Sequence, residues 1–194
     1  RSINLDDLNP DDYVKDSKRR NFLETKLKEL NKKEENRVKI NKTLNQELSN
    51  LRSLWHEEYK ILQSSIDQLN ERDLSIKVEL LYRGEKKVFQ DFLRNTVQGS
   101  GITGRKIELI TEVYNDPIEI YFDLEDQSSE LHNVLSGGTH LQKFIKYFRK
   151  NLSAALTFQV PNRYVLKYHG KDIRGHSLGQ RASAVMVFLL ARQE

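Results

Sequence analysis

The chain has 194 residues, 31% of them charged and 37% apolar, and a net charge of +4. That apolar share is low for a compact globule and usual for a long solvated helix, while the length suffices for one or two domains with a moderate core. The absence of cysteine excludes disulfides, a thiol nucleophile and a Cys-based zinc site, and suits a reducing cytosol.

No apolar run approaches the roughly 18 residues that a membrane-spanning helix needs, and no charged-then-apolar leader is visible. The chain opens on Arg1 and stops in an apolar context at Glu194, which reads as a piece of a longer polypeptide. The mild basic excess permits contact with nucleic-acid phosphates without demanding it.

Asn9-Pro10-Asp11-Asp12 predicts a helix start. Asn9 caps, Pro10 suits the first helical position, and two acids face the positive end of the helix dipole. From Tyr13 to Asn70 there is no glycine or proline. Steps of four and three from Leu23 pass through Leu27, Leu30, Leu44, Leu48, Leu51, Trp55 and Leu62 to Leu69, a heptad seam. The seam fails at Glu34, Arg37 and Asn41, around the polar stretch 31–37. Either one long helix crosses a weak heptad, with its partner arm outside this chain, or two helices fold back near 31–37. The lack of a Gly, Pro or Asn-Gly turn signal favours one helix.

After Asn70 the period changes. Ile76, Val78, Leu80 and Tyr82 alternate with Ser75, Lys77, Glu79 and Leu81 and predict a strand that Gly84 ends. Residues 85–97 return to helical spacing, with Val88, Phe89, Phe92 and Leu93 on one side. Gly99 and Gly104 have the spacing of a P-loop. However, Arg105 and Lys106 stand where its lysine and hydroxyl belong, and a helix precedes it, so the stretch reads as a helix–helix turn. Residues 105–114 predict a short helix with Ile107, Ile110 and Tyr114 inward. Pro117 stops it, and Ile118, Ile120, Phe122 and Leu124 alternate as a second strand. Glu119 interrupts that apolar run, so Asp123, Glu125 and Asp126 read as a solvated strand end rather than Walker B acids.

Leu135-Ser136-Gly137-Gly138-Thr139 is spelled like a nucleotide-binding signature, but the helix predicted after it, 140–152, is amphipathic and basic. Leu141, Phe144, Ile145 and Phe148 alternate there with Lys143, Lys146, Arg149 and Lys150, so residues 136–139 read as a loop and cap. Residues 157–160 and 163–168, separated by Pro161-Asn162, predict a hairpin or two short strands. His56, His132, His140, His169 and His176 are scattered, with no paired metal-ligand spacing.

The last element is the most informative. Gly175-His176-Ser177-Leu178-Gly179-Gln180-Arg181 leads into a nearly all-apolar helix. Ser177 suits its N-cap, Gly179 lets a ligand approach the backbone, and free amides at a helix start favour an anion. Ser177-Leu178-Gly179-Gln180-Arg181 followed by such a helix resembles the signature motif of ABC-type ATPases, in the variant of SMC/RecF-like coiled-coil ATPases, and is similar to TrlF-type ATPases. The resemblance implies a coiled-coil arm over 14–73, after a leader at 1–13, and a partial ATPase head lobe over 74–194 with an α/β (α+β) fold. It also implies that Ser177 offers its hydroxyl and amide, and Gly179 its amide, to the γ-phosphate of ATP held with Mg²⁺ by another head. Gln180 would shape the loop or lie near the ribose, and the role of Arg181 is open.

No Walker A or Walker B is present, so this chain alone is expected not to hydrolyse ATP. The implied partners are a second head and a coiled-coil arm, in a cytoplasmic protein of DNA repair, chromosome maintenance or phage defence. Two other functions compete on the residues alone. One is a non-enzymatic coiled-coil scaffold in which Ser177 is only a cap. The other is a nucleic-acid module that uses Lys143, Lys146, Arg149 and Lys150.

Overall fold

A computed structural model of the chain describes residues 10–71, 76–125, 130–135 and 138–190. These are predominantly helical with a small antiparallel sheet, an α+β arrangement. The chain forms two compact units, residues 1–50 and 51–194.

Helix α1 (Pro10–Glu71) is uninterrupted and contributes to both units. Pro10, Asp11 and Asp12 fill its first turn as expected; Asn9, the expected cap, lies outside the described residues. In the first unit Leu23, Leu27 and Leu30 are exposed. The helix crosses the polar break in the heptad with an Arg37–Glu34 pair at 3.0 Å, one turn apart on the solvent side. Such a pair adds a few tenths of a kcal/mol, roughly 0.2–0.5, to a helix without needing a core.

The second unit begins with α1 from Leu51. It continues through β1 (Ile76–Leu81), α2 (Lys86–Thr96), α3 (Gly104–Val113), α4 (Pro117–Glu125), α5 (Glu130–Leu135), α6 (Gly138–Lys150) and α7 (Leu152–Thr157). Then follow β2 (Arg163–Tyr168), β3 (Lys171–Asp172), a 3-10 turn at Ile173–Gly175 and α8 (Leu178–Leu190). Apolar residues on the expected faces of the helices form the core: Phe89 and Leu93 of α2, Ile107 and Ile110 of α3, Phe144 and Phe148 of α6 are all fully buried.

The sheet order is β1-β2-β3, all antiparallel, with Ile76 opposite Tyr168 and Leu81 opposite Arg163. The outer edge of β1 is covered locally by α1. The Asn70 side chain accepts from the Val78 amide at 2.8 Å and donates to the Val78 carbonyl at 2.7 Å, imitating a neighbouring strand. Where β1 leaves the sheet, a Cβ on Gly84 would stand 2.7 Å from the Arg163 Cβ and 2.8 Å from the Leu81 Cβ, so only glycine fits.

Two expectations fail. Residues 118–124 are not a strand but the body of α4. The Asp116 carboxylate accepts the Glu119 amide at 2.7 Å, and the Glu119 carboxylate accepts the Asn115 amide at 2.7 Å. With Pro117 at the first helical position, this is a reciprocal cap that starts a helix. The alternating apolar residues misled because α4 is enclosed on several sides: Ile118, Ile120 and Tyr121 are all buried. Residues 157–160 are not a strand either. Thr157 ends α7, and β2 pairs with β1 and β3. Local pattern cannot reveal a partner some ninety positions earlier in the chain, and Pro161 withholds the amide that a hairpin strand would donate. The expected loop at Ser136 and Gly137 lies outside the described residues, although α6 does open at Gly138.

Asp123, weighed above as an acid at a strand end, is a structural acceptor. It receives the Tyr114 hydroxyl at 2.8 Å and the amides of Glu130 and Leu131 at 3.0 and 3.3 Å, at the start of α5. Burial, then the bond to Asp123, pushes the Tyr114 hydroxyl well above its ordinary pKa. Its stabilising contribution is therefore whole below pH ~10 and is lost as pH rises toward the folded-state value. Tyr114→Phe is expected to cost about 1.5–2 kcal/mol in urea unfolding at neutral pH. The gap to the native chain should narrow as pH rises above ~10, because only the native chain carries this tyrosine.

Candidate functional site

The stretch from β2 to α8 arranges the residues singled out at the C-terminal end. β2 and β3 meet at a turn where His169 and Gly170 both have positive φ, +47° and +78°. Asp172 then accepts the Arg174 amide and pairs with its guanidinium at 2.6 Å, which holds the Asp172 carboxyl well below the usual range. Both groups lie open to water, so the pair shapes the turn more than it stabilises the fold. His176 closes the loop, its Nε2 lying 3.1 Å from the Tyr168 carbonyl.

Ser177 is the N-cap of α8, as its sequence position predicts. The Gln180 amide donates to Ser177 Oγ at 3.4 Å, while Gln180 Oε1 accepts from the Ser177 amide at 3.0 Å and from its hydroxyl at 3.1 Å. Serine followed three residues later by glutamine is a capping box, in which side chains satisfy two orphan amides at once. The remaining first-turn amides, those of Leu178 and Gly179, have no partner among the described residues. A Cβ on Gly179 would meet nothing within 4 Å, so its backbone is open to a ligand. No acid lies in the first turn, and residues 177–181 are all exposed. The result is an accessible helix start of positive polarity, extended by the Arg181 guanidinium.

The large apolar side chains of α8 described between Leu178 and Met186 are open. Leu178, Val185 and Met186 are 77%, 45% and 61% exposed, whereas Ala184 is fully buried. The sequence suggests a helix sunk in a domain; the described part of this chain does not cover it.

Lys143, Lys146, Arg149 and Lys150 lie together on α6, all exposed and without an ion pair among the described residues. They lie on α6, whereas Ser177 precedes α8, so the two groups of candidate residues belong to different elements. Among the described residues no cluster of His, Cys, Asp and Glu could hold a metal ion, and no helix is long and apolar enough to cross a membrane.

One charged constellation escaped the sequence reading. Arg52 of α1, Arg83 after β1, Lys86 of α2 and the α4 residues Asp116 and Glu119 converge. Arg83 Nη1 bonds directly to the fully buried Asp116, and Arg52 Nη2 reaches Glu119 at 2.9 Å. The Arg83 guanidinium also lies over the Tyr82 and Trp55 rings, 4.7 and 5.8 Å from their centroids. Lys86 Nζ donates to the Tyr114 carbonyl and to Asn115 Oδ1, and burial lowers its pKa. Each carboxylate faces a guanidinium, so neither is free to act as a base. The group is a latch between β1 and α4. Asp-Pro-x-Glu at 116–119 was the available signal for half of it.

No family model, curated protein or solved structure matches the chain. The reading of the site rests on its motif and its geometry.

Proposed function

We propose that this chain is part of a P-loop ATPase of the ABC type with coiled-coil arms, and that it supplies the signature motif to ATP held on a second head. The observation that carries the reading is the start of α8, where Ser177 caps the helix while the Leu178 and Gly179 amides, in exposed residues, have no partner among the described residues. A γ-phosphate placed there would receive those two amides and the Ser177 hydroxyl, which would leave Gln180 Oε1 for the stronger bond to an anion. Gln180 would keep the loop shaped through its bond to the Ser177 amide. Arg181 adds positive charge beside the phosphate. ATP with Mg²⁺ would thus join two heads, and hydrolysis would part them.

In this reading the exposed seam Leu23, Leu27 and Leu30 of α1 meets a second coiled-coil arm, and the open apolar side of α8 is covered by further parts of the head. The sequence has no Walker A or Walker B, so the chain binds the phosphate only in company and does not hydrolyse ATP by itself. DNA repair, chromosome maintenance and phage defence are the processes such ATPases serve, in the cytoplasm.

Sequencing the coding region on both sides tests the proposal. A P-loop ahead of α1 and an apolar strand ending in an acid soon after residue 194 are expected. Their absence overturns it.

A further inference from the structure

We infer that α6 and the glycine loop between α2 and α3 form one surface for the phosphate backbone of nucleic acid. The inference does not depend on the ATP reading, since it uses other elements and needs no nucleotide. From Gly138 to Lys150, α6 carries no acidic residue. Its cations fall on two adjoining lines, Lys143 with Lys150 on either side of Tyr147, and Lys146 with Arg149. Lys143 and Lys150 are about 10 Å apart along the axis, the reach of roughly three phosphates on one strand.

Tyr147 joins this face to the loop. Its hydroxyl donates to the Gly99 carbonyl at 3.2 Å, and beyond it the Asn151 side chain donates to the Thr96 carbonyl at 2.8 Å. The loop is thereby fixed beside the lysines. Gly99 and Gly101 have φ of +83° and +77°, and a Cβ on Gly101 would meet nothing within 4 Å. The Gly101 amide has no partner among the described residues, and Arg105 is exposed just beyond it. Backbone amides and long cations on one face are what sequence-independent phosphate contacts use.

Charge alone would also suit an anionic membrane, but an interfacial helix needs an apolar side to insert. Here Leu141, Phe144 and Phe148 are spent on the core, and none of the large exposed apolar side chains belongs to α6. Nucleic acid needs no such side.

The test uses the full chain and a fluorescein-labelled 30-base-pair duplex, read by anisotropy. Four neutralised phosphates give a log–log salt slope of about −3.6, so affinity should fall about a hundredfold between 50 and 200 mM salt. Lys143→Gln/Lys146→Gln/Arg149→Gln/Lys150→Gln should remove most of the slope, leaving at most the share of about −0.9 that Arg105 supplies, and leave the melting temperature unchanged, since these side chains lie in solvent. Tyr147→Phe keeps every charge but releases the loop, and should weaken binding about threefold. No binding by the native chain, or equal binding by the quadruple variant, overturns the inference. So does capture by phosphatidylserine vesicles, or by polyglutamate, in preference to the duplex. Unchanged affinity in Tyr147→Phe removes the glycine loop from the surface and overturns its composite form.

Discussion

Asp116→Ala is expected to lower the unfolding free energy by about 4 kcal/mol, a large part of the roughly 5–15 kcal/mol that holds a domain together. Two losses contribute. The first is electrostatic: Arg83 is only 4% exposed and bonds directly to Asp116. Stranding one partner of such a buried pair costs about 3–5 kcal/mol. Glu119 softens the loss, since its carboxylate lies 3.7 Å from Arg83 Nη1, but it is already engaged by Arg52. The second loss is the cap on α4, about 1 kcal/mol.

Asp116→Asn separates them. Asparagine caps as well as aspartate but carries no charge, so this variant should lose about 3 kcal/mol and keep the helix start. Urea unfolding of the three chains decides. An Asn variant as stable as the native chain would show that the ion pair contributes nothing. Equal losses in the Ala and Asn variants would remove the cap from the account. In either variant Lys86 loses one of the carboxylates that partly offset its burial, so its pKa should fall further.

The latch also bears on the candidate site, through the sheet. The Arg83 amide donates to Asn162 Oδ1 at 3.0 Å, which ties the end of β1 to the residue before β2. β2 in turn ends at Tyr168, whose carbonyl lies against His176. The loop that presents Ser177 is therefore carried by a strand whose far end the latch secures.

Helices with one buried stripe were legible in the sequence because a 3.6-residue period marks them. Phe89 with Leu93, Ile107 with Ile110, and Phe144 with Phe148 lie on the inner faces where that period puts them, although Val88, expected beside Phe89, is 41% exposed. Helix α4 was not legible, since enclosure put apolar residues on several of its sides and a short window then looks like alternation. The six-residue α5 and α7 are too short for any period to register. The pairing of β1 with β2 and the Arg52–Arg83–Asp116–Glu119 latch depend on distant partners, and no local pattern encodes those. The site divides in the same way. Ser177 as a cap follows from its own side chain and Gln180 three residues on, whereas the exposure of Leu178, Val185 and Met186 depends on what else packs nearby.

Ser177→Arg is expected to abolish ATP-driven association of heads when this chain is joined to a P-loop in one polypeptide, as read by light scattering. Arginine at the cap loses the hydroxyl and places a long side chain over the Leu178 and Gly179 amides, where the phosphate would sit. The fold should survive, because cap loss costs only about 0.5–2 kcal/mol and the position is exposed. Unchanged melting of the isolated chain, within that range, would separate a blocked site from a damaged domain. Ser177→Thr keeps both the hydroxyl and the cap and should associate nearly as the native chain does. Association that persists in Ser177→Arg would sink the signature reading and leave Ser177 as the cap of α8 alone.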